Sequence, residues 1–202
     1  QFCVFEAAAI ALGAWYGQWA VVPLATAGVV VSTLGSALMV SLNGRIQRLS
    51  PPQVYRRTLF HSSIDVVMGV VAFVAFLTYV VVAARSADAS PFVTLLGEEL
   101  PPLAIGLALL IAWDVCYRIG TAWWVSISGL WRTFGLSFEV TAELRRAYLE
   151  IEALTMGFAV LQLLLVPFLW PDRLLAMAVI GHVVAVLIVS GVTAALLSWR
   201  SG

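Results

Sequence analysis

Asp114 and Arg118 sit four residues apart inside "IAWDVCYRIGTAWW", residues 111–124, a stretch that is otherwise almost wholly apolar. Residues at this spacing share one face of a helix, so the carboxylate and the guanidinium are placed to pair. Tyr117 lies beside Arg118, and Thr121 follows near the same face. A lone charge at the centre of a helix in hydrocarbon costs about 2.5–3.5 kcal/mol, so charges there turn inward and find partners. Two readings follow. The pair serves as a gate, proton site or anion site in a wet interior, or it is an ion pair that fixes helix packing.

His61 and Asp65 repeat the four-residue spacing, with Ser62 and Ser63 between them. A histidine and a carboxylate so placed share a proton near neutral pH, or form a satisfied pair at the boundary of an apolar segment. His182 falls in the middle of a later apolar run, with Gln162 in the run before it. Imidazole ligates haem, but the chain has two histidines, and they are expected at different depths. A bis-histidine haem is therefore not expected, and a hydrogen-bonded core histidine is. Asp114, Arg118, Tyr117, His61, Asp65, Gln162 and His182 are thus the buried polar candidates for moving a solute, ion or proton.

Other chemistry finds no footing. The eleven basic residues are all arginine, which excludes lysine Schiff-base catalysis. Cys3 and Cys116 form no CxxC motif, so neither a metal site nor a redox pair is indicated. Cys116 reads as a small packing residue. There is no Walker loop and no HExxH helix. Ser128 with His182 does not make an intramembrane serine protease dyad, because Ser128 ends an apolar run and a charged loop follows. No cofactor and no metal are expected.

The elements that must position these residues are set by composition. Of 202 residues, 62% are hydrophobic and 11% charged, against roughly 25% charged in a soluble domain. A chain of this size has no water-soluble core large enough for so much apolar surface. The formal net charge is zero, so the basic footprint of a nucleic-acid binder is absent. A bilayer core about 30 Å thick needs roughly 20 apolar residues of helix. Six candidate spans meet or approach that, at about 2–16, 21–42, 59–84, 103–124, 154–170 and 174–199, within one transmembrane domain covering 1–202. The first is short and lacks the basic start of a signal peptide.

Arginine placement sets an orientation. Arg45, Arg48, Arg56, Arg57, Arg132, Arg145, Arg146 and Arg200 fall on one side if six spans alternate, and Arg85 and Arg173 on the other. The arginine-rich side is predicted to be cytoplasmic, with both termini there. Trp15, Trp19, Tyr79 and Trp170 near one set of span ends, and Tyr55, Trp123, Trp124, Trp131 and Trp199 near the other, read as interfacial anchors. Small residues at four-residue spacing (Gly28, Ser32 and Ser36; Gly181 with Ala185; Gly191 with Ala195) predict close packing of spans two and six. Pro167 is positioned to kink span five. Residues 132–153 form a cytoplasmic loop or amphipathic helix, or an extension of span five. In it Val140, Leu144 and Ile151 lie on one side and Glu139, Glu143, Arg146 and Glu150 on the other.

The expectation is an all-α polytopic helix bundle in the cell membrane, with about six transmembrane helices. Its partners are the lipid bilayer and either further copies of itself or other membrane subunits, not nucleic acid. The leading function is a small-solute, ion or proton transporter or channel. The alternatives are a non-catalytic assembly subunit of a larger complex and an intramembrane lipid-modifying enzyme, for which no catalytic set can be assembled.

Overall fold

The computed structural model describes residues 2–48, 55, 57, 63–85, 101–135 and 141–199. Helix α1 is Phe2–Tyr16, and a 3-10 turn, Trp19–Val21, leads into α2, Val22–Arg48. Helix α3 is Ile64–Ala83, α4 is Pro102–Gly135 and α5 is Ala142–Leu161. A 3-10 turn, Gln162–Leu165, joins α5 to the short α6, Val166–Leu169, and α7 is Arg173–Trp199. The described residues contain no strand. Among the described residues, five segments are long and apolar enough to cross a membrane: 19–41, 64–83, 102–135, 142–169 and 173–199. Helix α1 has 15 residues, about 22 Å at 1.5 Å per residue, and falls short of a 30 Å hydrocarbon core.

Two expected boundaries move. Helix α4 does not stop near Trp124; it has 34 residues and runs to Gly135, about 51 Å in all. The hydroxyls of Ser126, Ser128 and Thr133 donate to carbonyls three or four residues back, so these polar residues stay inside the helix. Helix α5 starts at Ala142 and continues without a break through Leu161. Its start is set by Thr141, whose hydroxyl accepts from the Leu144 amide, a side-chain N-cap. Arg146 and Glu150 pair at 3.7 Å on its exposed side. Pro167 cannot donate a backbone hydrogen bond to Leu163, and the backbone just before it tightens into the 3-10 turn.

Two turns close the antiparallel pairs. Gly17 has φ 70° between α1 and α2, a left-handed conformation that glycine adopts without strain. Asp172 caps α7: its carboxylate accepts from the Leu175 amide and its carbonyl from Ala176.

Helix α4 is the spine. Helices α1, α2, α3, α5 and α7 all pack against it, and α7 also packs along α5. The tightest approach is α3 on α4, where a methyl added at Gly120 would lie 2.5 Å from the Gly69 amide nitrogen. The small residues expected to pack α2 do so: a methyl on Gly28 would meet Ile111, Ser32 is buried, and Ser36 accepts from Arg118 of α4. Those expected to pack α7 do not. A side chain on Gly181 or Gly191 would meet nothing, and α7 instead buries Ala176, Val179, Val183, Val186 and Ser190. Four-residue spacing marks a face, but both faces of α7 carry small residues, and the larger apolar side chains filled the interior.

Candidate functional site

Three polar arrangements and a groove stand out among the described residues. The first is the pair expected from sequence. Arg118 Nη2 donates to Asp114 Oδ1 at 3.1 Å and to Ser36 Oγ, on α2, at 2.7 Å. The two side chains retain 12% and 20% exposure. Next to it, Tyr117 donates to Asp65, in the first turn of α3, at 3.2 Å. The Tyr117 ring stacks on Trp113 and lies 5.4 Å from the Arg118 guanidinium. Thus Asp114, Arg118, Tyr117 and Asp65 come together across α2, α3 and α4. His61, the expected partner of Asp65, lies outside the described residues.

The second arrangement was not anticipated. Arg132 Nη2 donates to Glu152 Oε1 at 3.2 Å, joining α4 to α5, and both side chains are dry, at 1% and 0% exposure. Arg132 Nη1 donates to the Tyr55 hydroxyl at 3.0 Å. The guanidinium lies 3.7 Å from the Tyr148 ring centre and 5.0 Å from that of Tyr55, close enough for strong cation–π attraction. Burial pushes the Tyr55 hydroxyl above the usual tyrosine range, with Arg132 opposing the shift. Gly129 makes the room: a side chain there would run into the Glu152 carboxylate. Ser126 and Ser190 hydrogen-bond at 3.1 Å, linking α4 to α7. This cage is sealed, with Arg132 Nε, Glu152 Oε2 and the Tyr148 hydroxyl left without hydrogen-bond partners among the described residues.

The sequence carried a signal for Glu152. Leu144, Tyr148, Ile151, Glu152 and Thr155 recur at helical spacing, so the glutamate falls on the apolar stripe of α5 rather than on its charged face. Helix α1 holds a further unexpected carboxylate, Glu6, which accepts from Thr26 at 2.7 Å.

The third arrangement is a pair of uncharged polar residues without partners. His182 and Gln162 are buried, and neither the two imidazole nitrogens nor the two amide atoms have a hydrogen-bond partner among the described residues. Both lie ten residues from Asp172 along antiparallel segments, about 15 Å from that turn. That is the middle of a 30 Å core. The Trp123 ring lies 5.9 Å from the imidazole.

His182 also lines the cavity, a groove of about 430 Å³ between α2, α3, α4 and α7. Small residues open it, among them Ala25, Gly28, Ala72, Ala108, Ala112 and Ala178. Ala75, Leu174 and Ala178 are exposed along its rim. Near the Asp172 turn, Tyr79 donates to both carboxylate oxygens of Asp172 at 2.8 Å and ties α3 to the start of α7. Its volume falls in the range of small-molecule sites. Among the described residues no group of three His, Cys, Asp or Glu is placed to hold a metal ion.

An all-helical chain with five segments built to cross a bilayer is compatible with a multi-pass membrane protein. The chain belongs to DUF7530, a family of unknown function whose model matches residues 1–193. No curated protein and no solved structure matches it.

Proposed function

We propose that this protein is a membrane-embedded carrier of a small, predominantly apolar solute, held in the groove between α2, α3, α4 and α7. The observation that carries the reading is the groove itself: about 430 Å³, walled by apolar side chains and reached from the side of the bundle. A cavity that size left to water would hold it among groups that offer few hydrogen bonds, so a lipid-soluble occupant fits better. The Asp114–Arg118–Ser36 cluster supports movement less directly. Its groups hydrogen-bond one another but keep partial exposure, so they are able to exchange partners when helices shift. Arg132, near the end of α4, and Arg145 and Arg146, near the start of α5, lie at the end away from Asp172, the excess expected on the cytoplasmic side.

The test is native mass spectrometry of gently solubilised protein, followed by exchange of the retained molecule between proteoliposomes. The expected result is a small apolar molecule bound one per chain and lost in Ala178→Trp, which fills the groove. An empty wild-type protein that also fails to take up added apolar molecules would sink the reading. A second reading, an assembly subunit, is favoured by α3. That helix buries only Gly69 and leaves Val66, Val67, Val70, Val71, Val74, Val81 and Val82 exposed. Stoichiometric co-purification with another membrane protein would select it.

A further inference from the structure

We infer that His182 is the polar anchor of the groove and that the occupant is a neutral lipid ending in a carbonyl or hydroxyl oxygen, the chemistry of a membrane quinone or quinol. The inference rests on the groove reading above. His182 is 7% exposed, lines the groove, and has both ring nitrogens unpartnered among the described residues. Buried polar groups in native proteins nearly always find partners, because leaving one unmade costs its full desolvation. A neutral imidazole offers one donor and one acceptor. The bound molecule is the natural source of the missing partner.

The surroundings narrow its chemistry. A water molecule needs two to four polar contacts, whereas the walls around His182 are apolar: Cys116, Ile119, Val179 and Leu175 among them. The imidazole sits about 15 Å below the Asp172 turn, a depth at which a charged head group is costly. Asp114 and Arg118, on the same helix as the groove floor, are already paired and offer no free counter-charge. A ketone oxygen accepts from the ring N–H, and a hydroxyl donates to the other nitrogen, so either redox form of a quinone finds a match. The apolar tail then follows the alanine-lined walls toward the Asp172 end.

The test compares two probes in nanodiscs: a decyl-substituted benzoquinone, and a decylbenzene that has a similar shape and no oxygen. The chain has two histidines, so ¹⁵N-histidine labelling yields two imidazoles, assigned with His182→Leu. The quinone is expected to shift the His182 ring nitrogens. The variant is expected to bind the quinone about tenfold more weakly, the order of one lost hydrogen bond, and decylbenzene as well as the wild type does. Retained decylbenzene binding also reports that the variant is folded. Equal effects of His182→Leu on both probes, or no effect on either, overturn the anchor and leave the groove reading standing. Wild-type protein that binds neither probe overturns both.

Discussion

Two arginine–carboxylate pairs share α4 and differ in almost everything else. Asp114–Arg118 lies within one helix, four residues apart, and keeps 20% and 12% exposure. Arg132–Glu152 joins two helices, spans twenty positions in sequence and is dry. The first pair is made as soon as the helix forms. The second is made only when α4 and α5 dock, and it fixes their register beside two tyrosine rings that meet edge to face. Charges that keep some exposure have room to change partners, whereas charges sealed among their neighbours are held by the fold. The contrast separates a cluster suited to rearrangement from one suited to holding the bundle together.

The largest effect is expected from breaking the dry pair. Glu152→Ala leaves a buried guanidinium without its counter-charge and should destabilise the bundle by about 3–5 kcal/mol. Unfolding titrations in mixed micelles read this directly. Arg132→Leu with Glu152→Leu should lose less than either single change, since both charges leave together. A double variant as unstable as the sum of the singles would mean that the two residues act independently.

Crowding the cage should come next. Gly129→Ala drives a methyl into the Glu152 carboxylate and should cost about 1–3 kcal/mol, in the range of overpacked cores. The same substitution at Gly181, where nothing lies nearby, should be neutral or slightly stabilising. Equal melting temperatures for the two variants would show that the cage has slack.

Asp114→Asn should cost about 1 kcal/mol or less, since Arg118 keeps Ser36 and the new amide still offers it an oxygen. If its cost matches that of Glu152→Ala, the two pairs are alike and the contrast drawn here is lost.

The smallest effect is one of pH. Tyr55 has its hydroxyl raised by burial, so the native state holds that proton more tightly than the unfolded chain does. The stabilisation is complete below the ordinary tyrosine value and is lost as pH rises through and above it. Tyr55→Phe should flatten this part of the stability profile above about pH 10. An unchanged alkaline profile would place the titration elsewhere.

Much of this was legible in the residue order. The apolar runs marked the membrane-length helices, because a stretch that must satisfy its own backbone in hydrocarbon has little choice but helix. The Asp114–Arg118 contact was legible too, since both ends sit on one helix. The Arg132 cage was not. Arg132 follows an apolar run, where an arginine reads as an end marker, and Tyr55 reads as an interfacial anchor. Glu152 closely follows Glu143 and Glu150, which read as a charged outer face, and only its register with Tyr148 and Ile151 sets it apart. The Gly69–Gly120 crossing escaped although Ala108, Ala112, Cys116 and Gly120 form a four-residue small stripe on α4, because such a stripe marks a face and does not name the helix that meets it.

Sequence by itself determined the helical class, the membrane-length segments and the contacts made within a single turn. All three depend on local spacing, and a helix turns that spacing directly into geometry. Tertiary structure alone decided which polar residues would be sealed, which would keep water and which would be left without partners. Burial belongs to a face, and whether that face meets another helix or an open groove is settled only when the helices pack. His182 and Arg132 are both polar residues on α-helices of this bundle. The packing gave Arg132 a carboxylate and two tyrosine rings and left His182 facing a cavity.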